Sequence, residues 1–141
     1  LRVMGLDVGE KRIGVAVSDP TGLLASPLQA IKSTPDSDDV ESVLRIAAEQ
    51  DIGEIVVGMP LSLSGRAGPQ AKRVSEFART LASRTSVPVS FVDERYSTAE
   101  AEKRLREAGR RAAKVKARVD AAAAAIVLQA YLDSRSAIDL R

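Results

Sequence analysis

Val87-Pro88-Val89-Ser90-Phe91-Val92-Asp93-Glu94-Arg95-Tyr96-Ser97-Thr98 is the stretch from which the fold can be read. The β-formers Val89, Phe91 and Val92 follow Pro88, which suits a strand start. Ser97-Thr98-Ala99-Glu100 has the S-x-x-E form of a capping box, so a helix begins just beyond Arg95. Two adjacent carboxylates, Asp93 and Glu94, thus stand at the carboxyl end of a strand, where open α/β sheets receive their ligands.

Working back, residues 54–58 form a short apolar strand of the kind covered on both faces. A polar loop over 59–68 follows, and Pro69 opens a helix with Val74, Phe77, Ala78 and Leu81 inward. Strand, helix and strand imply a parallel pair joined by a right-handed crossover. Before it, Thr34-Pro35-Asp36 starts another helix, with Val40, Val43, Leu44 and Ala47 as its buried stripe. The first 31 residues read as three strands: 2–7 ending in Asp7, 12–18, and 23–31 with Pro27 marking an edge. Turns at Val8-Gly9-Glu10-Lys11 and Asp19-Pro20-Thr21-Gly22 join them into an antiparallel meander.

Beyond Glu94 the pattern is helical, with Ala101 and Leu105 inward and Gly109 as the stop. Residues 110–118 carry Arg110, Arg111, Lys114, Lys116 and Arg118 without an acid. They lead into Asp120 and an alanine-rich helix whose packed side is expected at Val119, Ala122, Ala123, Ile126 and Ala130. So many alanines imply a helix lying close against the sheet, and the tail over 134–141 is expected to fray. The fold class is therefore α/β, a five-stranded mixed sheet flanked by helices, expected as a single domain over residues 1–141.

Composition narrows the chemistry. The chain has no Cys and no His, so disulfides, thiolate metal sites and an imidazole base are excluded. Acid–base or metal work must fall to carboxylates. Twenty-one basic against nineteen acidic residues leave a net +2, which selects no partner. The longest apolar run, 121–128, is too short to span a bilayer, and nothing near Leu1 resembles a signal peptide, so a cytosolic protein is expected.

Three carboxylates remain once capping and surface acids are set aside: Asp7, Glu94 or its neighbour Asp93, and Asp120. If the first strand is central and parallel to the fourth and fifth, Asp7 and Glu94 end on one sheet edge, and Asp120 opens a helix laid across it. Such carboxylates would repel one another without a cation. A pair of Mg²⁺ or Mn²⁺ ions resolves this, since hard cations take oxygen ligands. Two of them roughly 4 Å apart activate a water and stabilise the leaving oxygen of a phosphodiester. The basic run would then hold the phosphates of a polyanion. Plainer readings exist for each part: Asp7 as a turn stabiliser, Asp120 as a helix-dipole partner, and the basic run as solvated surface.

The order of motifs resembles the YqgF/RuvX family over nearly the whole chain. The resemblance is carried by Gly5-Leu6-Asp7-Val8-Gly9 with Lys11-Arg12-Ile13-Gly14-Val15-Ala16-Val17-Ser18-Asp19, and by Val56-Val57-Gly58-Met59-Pro60. It continues through Asp93-Glu94-Arg95, Ser97-Thr98-Ala99-Glu100-Ala101, Lys114-x-Lys116, Val119-Asp120 and Ile126-Val127-Leu128-Gln129. It implies an RNase H-like nuclease domain, described both as a pre-16S ribosomal RNA nuclease and as a Holliday junction resolvase. It carries the family's acidic triad onto Asp7, Glu94 and Asp120, choosing Glu94 over Asp93. Glu10 departs from the pattern, standing where the family usually has Thr, and adds an acid beside Asp7.

Lys11, Arg12, Arg95, Arg110, Arg111, Lys114, Lys116 and Arg118 are the candidate phosphate contacts, with Lys114 and Lys116 foremost because they just precede Asp120. With the two Phe assigned to the core, no aromatic stacking platform is expected, so recognition rests on backbone shape and charge. A resolvase would be a homodimer, since a junction offers two symmetric strands, whereas an RNA-trimming enzyme can act as a monomer. A non-catalytic nucleic-acid-binding factor on the same fold is the rival class. An actin-like ATPase would need two such domains, and a receiver domain would need an acceptor Asp where Gly58-Met59-Pro60 stands.

Overall fold

The computed structural model describes residues 1–34, 37–60, 68–93 and 121–139. Its elements are β1 (Arg2–Val8), β2 (Arg12–Ser18), β3 (Ala25–Lys32), α1 (Asp39–Glu49), β4 (Ile52–Met59), α2 (Pro69–Ser83), β5 (Val89–Asp93) and α3 (Ala122–Asp139). The strands form one sheet in the order β3-β2-β1-β4-β5. The first three pair antiparallel, and β4 and β5 continue parallel to β1. The expected mixed sheet is thus present, with β1 at its centre. Pro27 sits at a register shift between β2 and β3, on the edge strand where a missing N–H is tolerated.

β1 is apolar on both faces because both are covered. Met4, Leu6 and Val8 join Ile13, Val15 and Ile31 under Val40, Val43 and Ile46 of α1 and Val74, Ala78 and Leu81 of α2. The other face holds Val3, Ala16, Ala25 and Val56 against Ala124, Ala125, Leu128 and Leu132 of α3. Helix α3 lies close to the sheet, as its alanines imply. A Cβ added to Gly5 would come within 2.7 Å of the Leu128 Cβ and 3.1 Å of the Ala124 carbonyl oxygen.

Four sequence expectations change. α1 starts at Asp39, not at Pro35, because Asp38 caps it by accepting from the Glu41 N–H, while Ser37 and Thr34 close a turn of their own. The packed side of α3 is Ala124, Ala125, Leu128 and Leu132, leaving Ala122 and Ala123 exposed. Alanine gives no size contrast along this run, so the bulkier Leu128 and Leu132 choose the buried stripe. Phe91 is 48% exposed instead of buried, since it lies on edge strand β5, at the margin of the α2 cover. Finally, α3 continues to Asp139 through the segment expected to fray.

Candidate active site

Because β1, β4 and β5 run parallel, their carboxyl ends share one edge of the sheet. Asp7 is the next-to-last residue of β1 and is half-buried. Val3 and Gly5 face α3, and strand alternation puts Asp7 on that same face. On β5, Val92 packs with the α3-side cluster, so Asp93 turns to the opposite face, away from Asp7.

The neighbours of Asp7 within the sheet carry no side chains. Asp7 pairs with Gly14 on β2, and Gly58 on β4 stands one step beyond the Leu6–Val57 pair, level with Asp7. Neither adjoining strand therefore puts a side chain beside this carboxylate. A hard oxygen donor with glycine on both flanks, in a chain without thiol or imidazole, suits a hydrated divalent cation such as Mg²⁺ or Mn²⁺. Among the described residues, no three acidic side chains gather into a metal-holding group. Glu94 and Asp120, with Arg95, Arg110, Arg111, Lys114, Lys116 and Arg118, lie outside the described residues, as do the helix expected after Glu94 and most of the 59–68 loop.

Helix α3 runs antiparallel to β1. Its later turns reach the start of β1 and β4, where Tyr131 and Arg135 both bond Glu54, the latter at 2.7 Å, and Glu54 pairs with Val3. Burial and the bond to Glu54 push the Tyr131 hydroxyl above its ordinary pKa. Ala124 and Leu128 pack at Gly5, so the first residues of α3 lie toward the Asp7 edge. Ala121, just ahead of the helix, is fully buried and accepts from the Ala125 N–H at 3.1 Å.

The hairpin after Asp7 is tight. The Gly9 N–H donates to the Arg12 carbonyl at 2.8 Å, and a Cβ on Gly9 would come within 2.9 Å of that oxygen. Lys11 and Arg12 are exposed at its tip. Arg12 follows the alternation of β2 onto the Asp7 face, since Ile13 packs on the other side. Glu10, the acid added beside Asp7, lies 3.5 Å from Arg73 of α2. Arg73 also donates to Gln70 Oε1 at 2.7 Å, and Gln70 Nε2 donates to the Val8 carbonyl at 2.6 Å. The first turns of α2 thereby secure the strand end beside Asp7 and offset the Glu10 charge. Sequence reading missed Gln70 and Arg73: neither belongs to a motif, and their partners are remote in sequence.

A central first strand ending in a glycine-flanked Asp, two strands that follow it as an antiparallel meander on one side, and two parallel strands on the other define the RNase H-like class that includes the RuvC resolvases. Thermus thermophilus RuvC in complex with a Holliday junction substrate shares the fold over 96% of both chains, with a TM-score of 0.62 and 18% identity. The fowlpox virus Holliday junction resolvase does so over 95% of this chain and 99% of its own, with a TM-score of 0.55 and 15% identity. Within that class the chain belongs to the RuvX family, described as Holliday junction resolvase, whose profile matches residues 1–134. A relative from Chloroflexus aurantiacus (strain ATCC 29366 / DSM 635 / J-10-fl), named "Putative pre-16S rRNA nuclease", is 45% identical over 133 residues, 94% of this chain and 87% of its own. The protein of the same name from Nocardioides sp. (strain ATCC BAA-499 / JS614) is 49% identical over 140 residues, covering 95% and 88%. No described helix is long and apolar enough to cross a membrane.

Proposed function

We propose that this chain is a single-domain, metal-dependent endonuclease that trims structured nucleic acid, with the 5′ end of pre-16S ribosomal RNA as its substrate in ribosome maturation. The observation that carries the reading is the place of Asp7: the end of the central strand, between two glycines, on the face toward which α3 begins. The RNA substrate is favoured by the names of the relatives at 45–49% identity. Work on precursor rRNA belongs in the cytoplasm.

Asp7, Glu94 and Asp120 are the proposed ligands of two Mg²⁺ or Mn²⁺ ions. Alternation disfavours Asp93, whose side chain turns to the face opposite Asp7, and so favours its neighbour Glu94 as the ligand. The direction of α3 supports Asp120, the residue before Ala121. A bound ion pair would supply an activated water and counter-charge for the leaving oxygen. The protein's part is to hold Asp7 rigid on a strand whose end is fixed by Gln70, and to grip phosphates through Lys11, Arg12, Arg95, Arg110, Arg111, Lys114, Lys116 and Arg118.

A second reading, cleavage of four-way DNA junctions by a homodimer, is favoured by the description of the family itself. Purified protein with Mn²⁺ is offered a precursor rRNA end and a four-way DNA junction, beside the Asp7→Asn variant. Cutting of the RNA alone, lost in the variant, is the expected result. Cutting of the junction alone would move the assignment to resolvase. No cutting of either, with binding unchanged in Asp7→Asn, would make the chain a binding factor.

A further inference from the structure

Lys32, the last residue of β3, is assigned no role by any motif. It pairs with Arg12 across β2 and β3, so the two side chains leave the sheet on one face. That face is the one Asp7 occupies, because Gly14 pairs with both Asp7 and Ala30. Strand spacing of about 4.8 Å and a rise of about 3.3 Å per residue put the Arg12 Cα roughly 8 Å from that of Asp7, and the Lys32 Cα roughly 12 Å. Gly14 and Ala30, the residues between, are small. Lys32 is exposed, and no hydrogen bond or ion pair ties its ammonium among the described residues. At the other end of the same sheet edge, the last described side chain of β5 is an acid, Asp93.

We propose that Arg12 and Lys32 form a phosphate-holding row that carries one nucleic-acid strand from Asp7 outward across β2 and β3, at right angles to the strands. The inference rests on the nuclease reading and adds to it the path of the substrate and a contact residue, Lys32. A phosphodiester backbone is the ligand, and the row reads charge rather than base identity. Lys32 lies beyond the metal-binding carboxylates, so it acts on substrate affinity and leaves the chemical step alone.

The chain has no cysteine, so Lys32→Cys and Arg45→Cys each create one attachment point for a thiol-linked photo-crosslinker. Arg45 lies on α1, against the opposite sheet face, and serves as the charge control. Lys32→Gln and Arg45→Gln are compared with the unaltered chain in binding a precursor rRNA fragment and a four-way DNA junction from 50 to 200 mM salt. Lys32→Gln is expected to weaken binding roughly 3- to 10-fold and to reduce the log–log salt slope by about 0.7 to 0.9, while Arg45→Gln does neither. Lys32→Arg should restore the slope, cleavage at saturating substrate should stay within about twofold, and crosslinks should form from position 32 and not from 45. The RNA and DNA arms show which backbone follows the row. An unchanged slope in Lys32→Gln, or an equal loss in Arg45→Gln, with cleavage intact would overturn this inference alone. An unaltered chain that bound neither nucleic acid would overturn it together with the nuclease reading.

Discussion

Two aspartates show how neighbours decide what a carboxylate does. Asp7 has glycines on both adjoining strands and half-exposure, which leave its oxygens room for a hydrated cation. Asp7→Asn keeps size and shape, so binding of RNA or junction DNA should persist while cleavage falls by at least about 100-fold; gel assays of both on one preparation test this. Asp19, in the β2–β3 turn, is spent on backbone instead. Burial pushes its pKa up, but the N–H groups of Leu24, Leu23 and Thr21 and the Thr21 hydroxyl outweigh this and bring it down to about 2. A carboxylate whose pKa falls on folding stabilises the protein above its unfolded value near 4, and the gain is lost as pH drops toward 2. Asp19→Asn should therefore melt below the unaltered chain at pH 7, and the gap should close near pH 2. Solvent screening keeps this contribution under about 1 kcal/mol, which melting curves across that pH range would read.

At the scale of elements, the seating of α3 on β1 depends on Gly5. The clashing atom in a Gly5→Ala variant would be the Leu128 Cβ, which any residue but glycine also has, so shortening that side chain gives no relief. The helix must lift, and overpacking of this kind costs roughly 1–3 kcal/mol. Urea unfolding of Gly5→Ala would measure it. The strands, their directions and α2 were legible in sequence because apolar alternation, Gly and Asp turns and Pro69 are local signals. The phase of α3 was not, for a run of alanines buries equally well on several faces until Leu128 and Gln129 find their places. Gln129 is buried on the packed side and fully bonded, accepting from the Ala25 N–H at 2.9 Å and donating to the Leu23 carbonyl and Asp133 at 3.0 Å. The candidate site divides the same way. Asp7, Lys11 and Arg12 announce themselves on a strand and its turn, whereas Lys32 and the Glu10–Arg73–Gln70 chain depend on pairings between remote segments.

For the whole molecule, the proposed triad draws on distant parts of the chain: Asp7 lies on the first strand, Glu94 follows β5 in sequence and Asp120 precedes α3. Helix α3 is anchored to the sheet in its later turns through Glu54, Tyr131 and Arg135 and in its first turns at Gly5, so its start is held toward the Asp7 edge. An ion held jointly by Asp7, Glu94 and Asp120 would bind only the folded chain, because residues so distant in sequence share a site only there. Linkage then requires stability to rise with metal, by about 2.7 kcal/mol at 100 times the dissociation constant. For a chain of 141 residues this corresponds to a Tm increase of roughly 5–10 °C. Differential scanning calorimetry with Mn²⁺, without substrate, should show that increase in the unaltered chain and under about 2 °C in Asp7→Asn. Equal increases in both would mean that the ion sits elsewhere, and no increase at saturating Mn²⁺ would mean that the three segments do not share a metal centre.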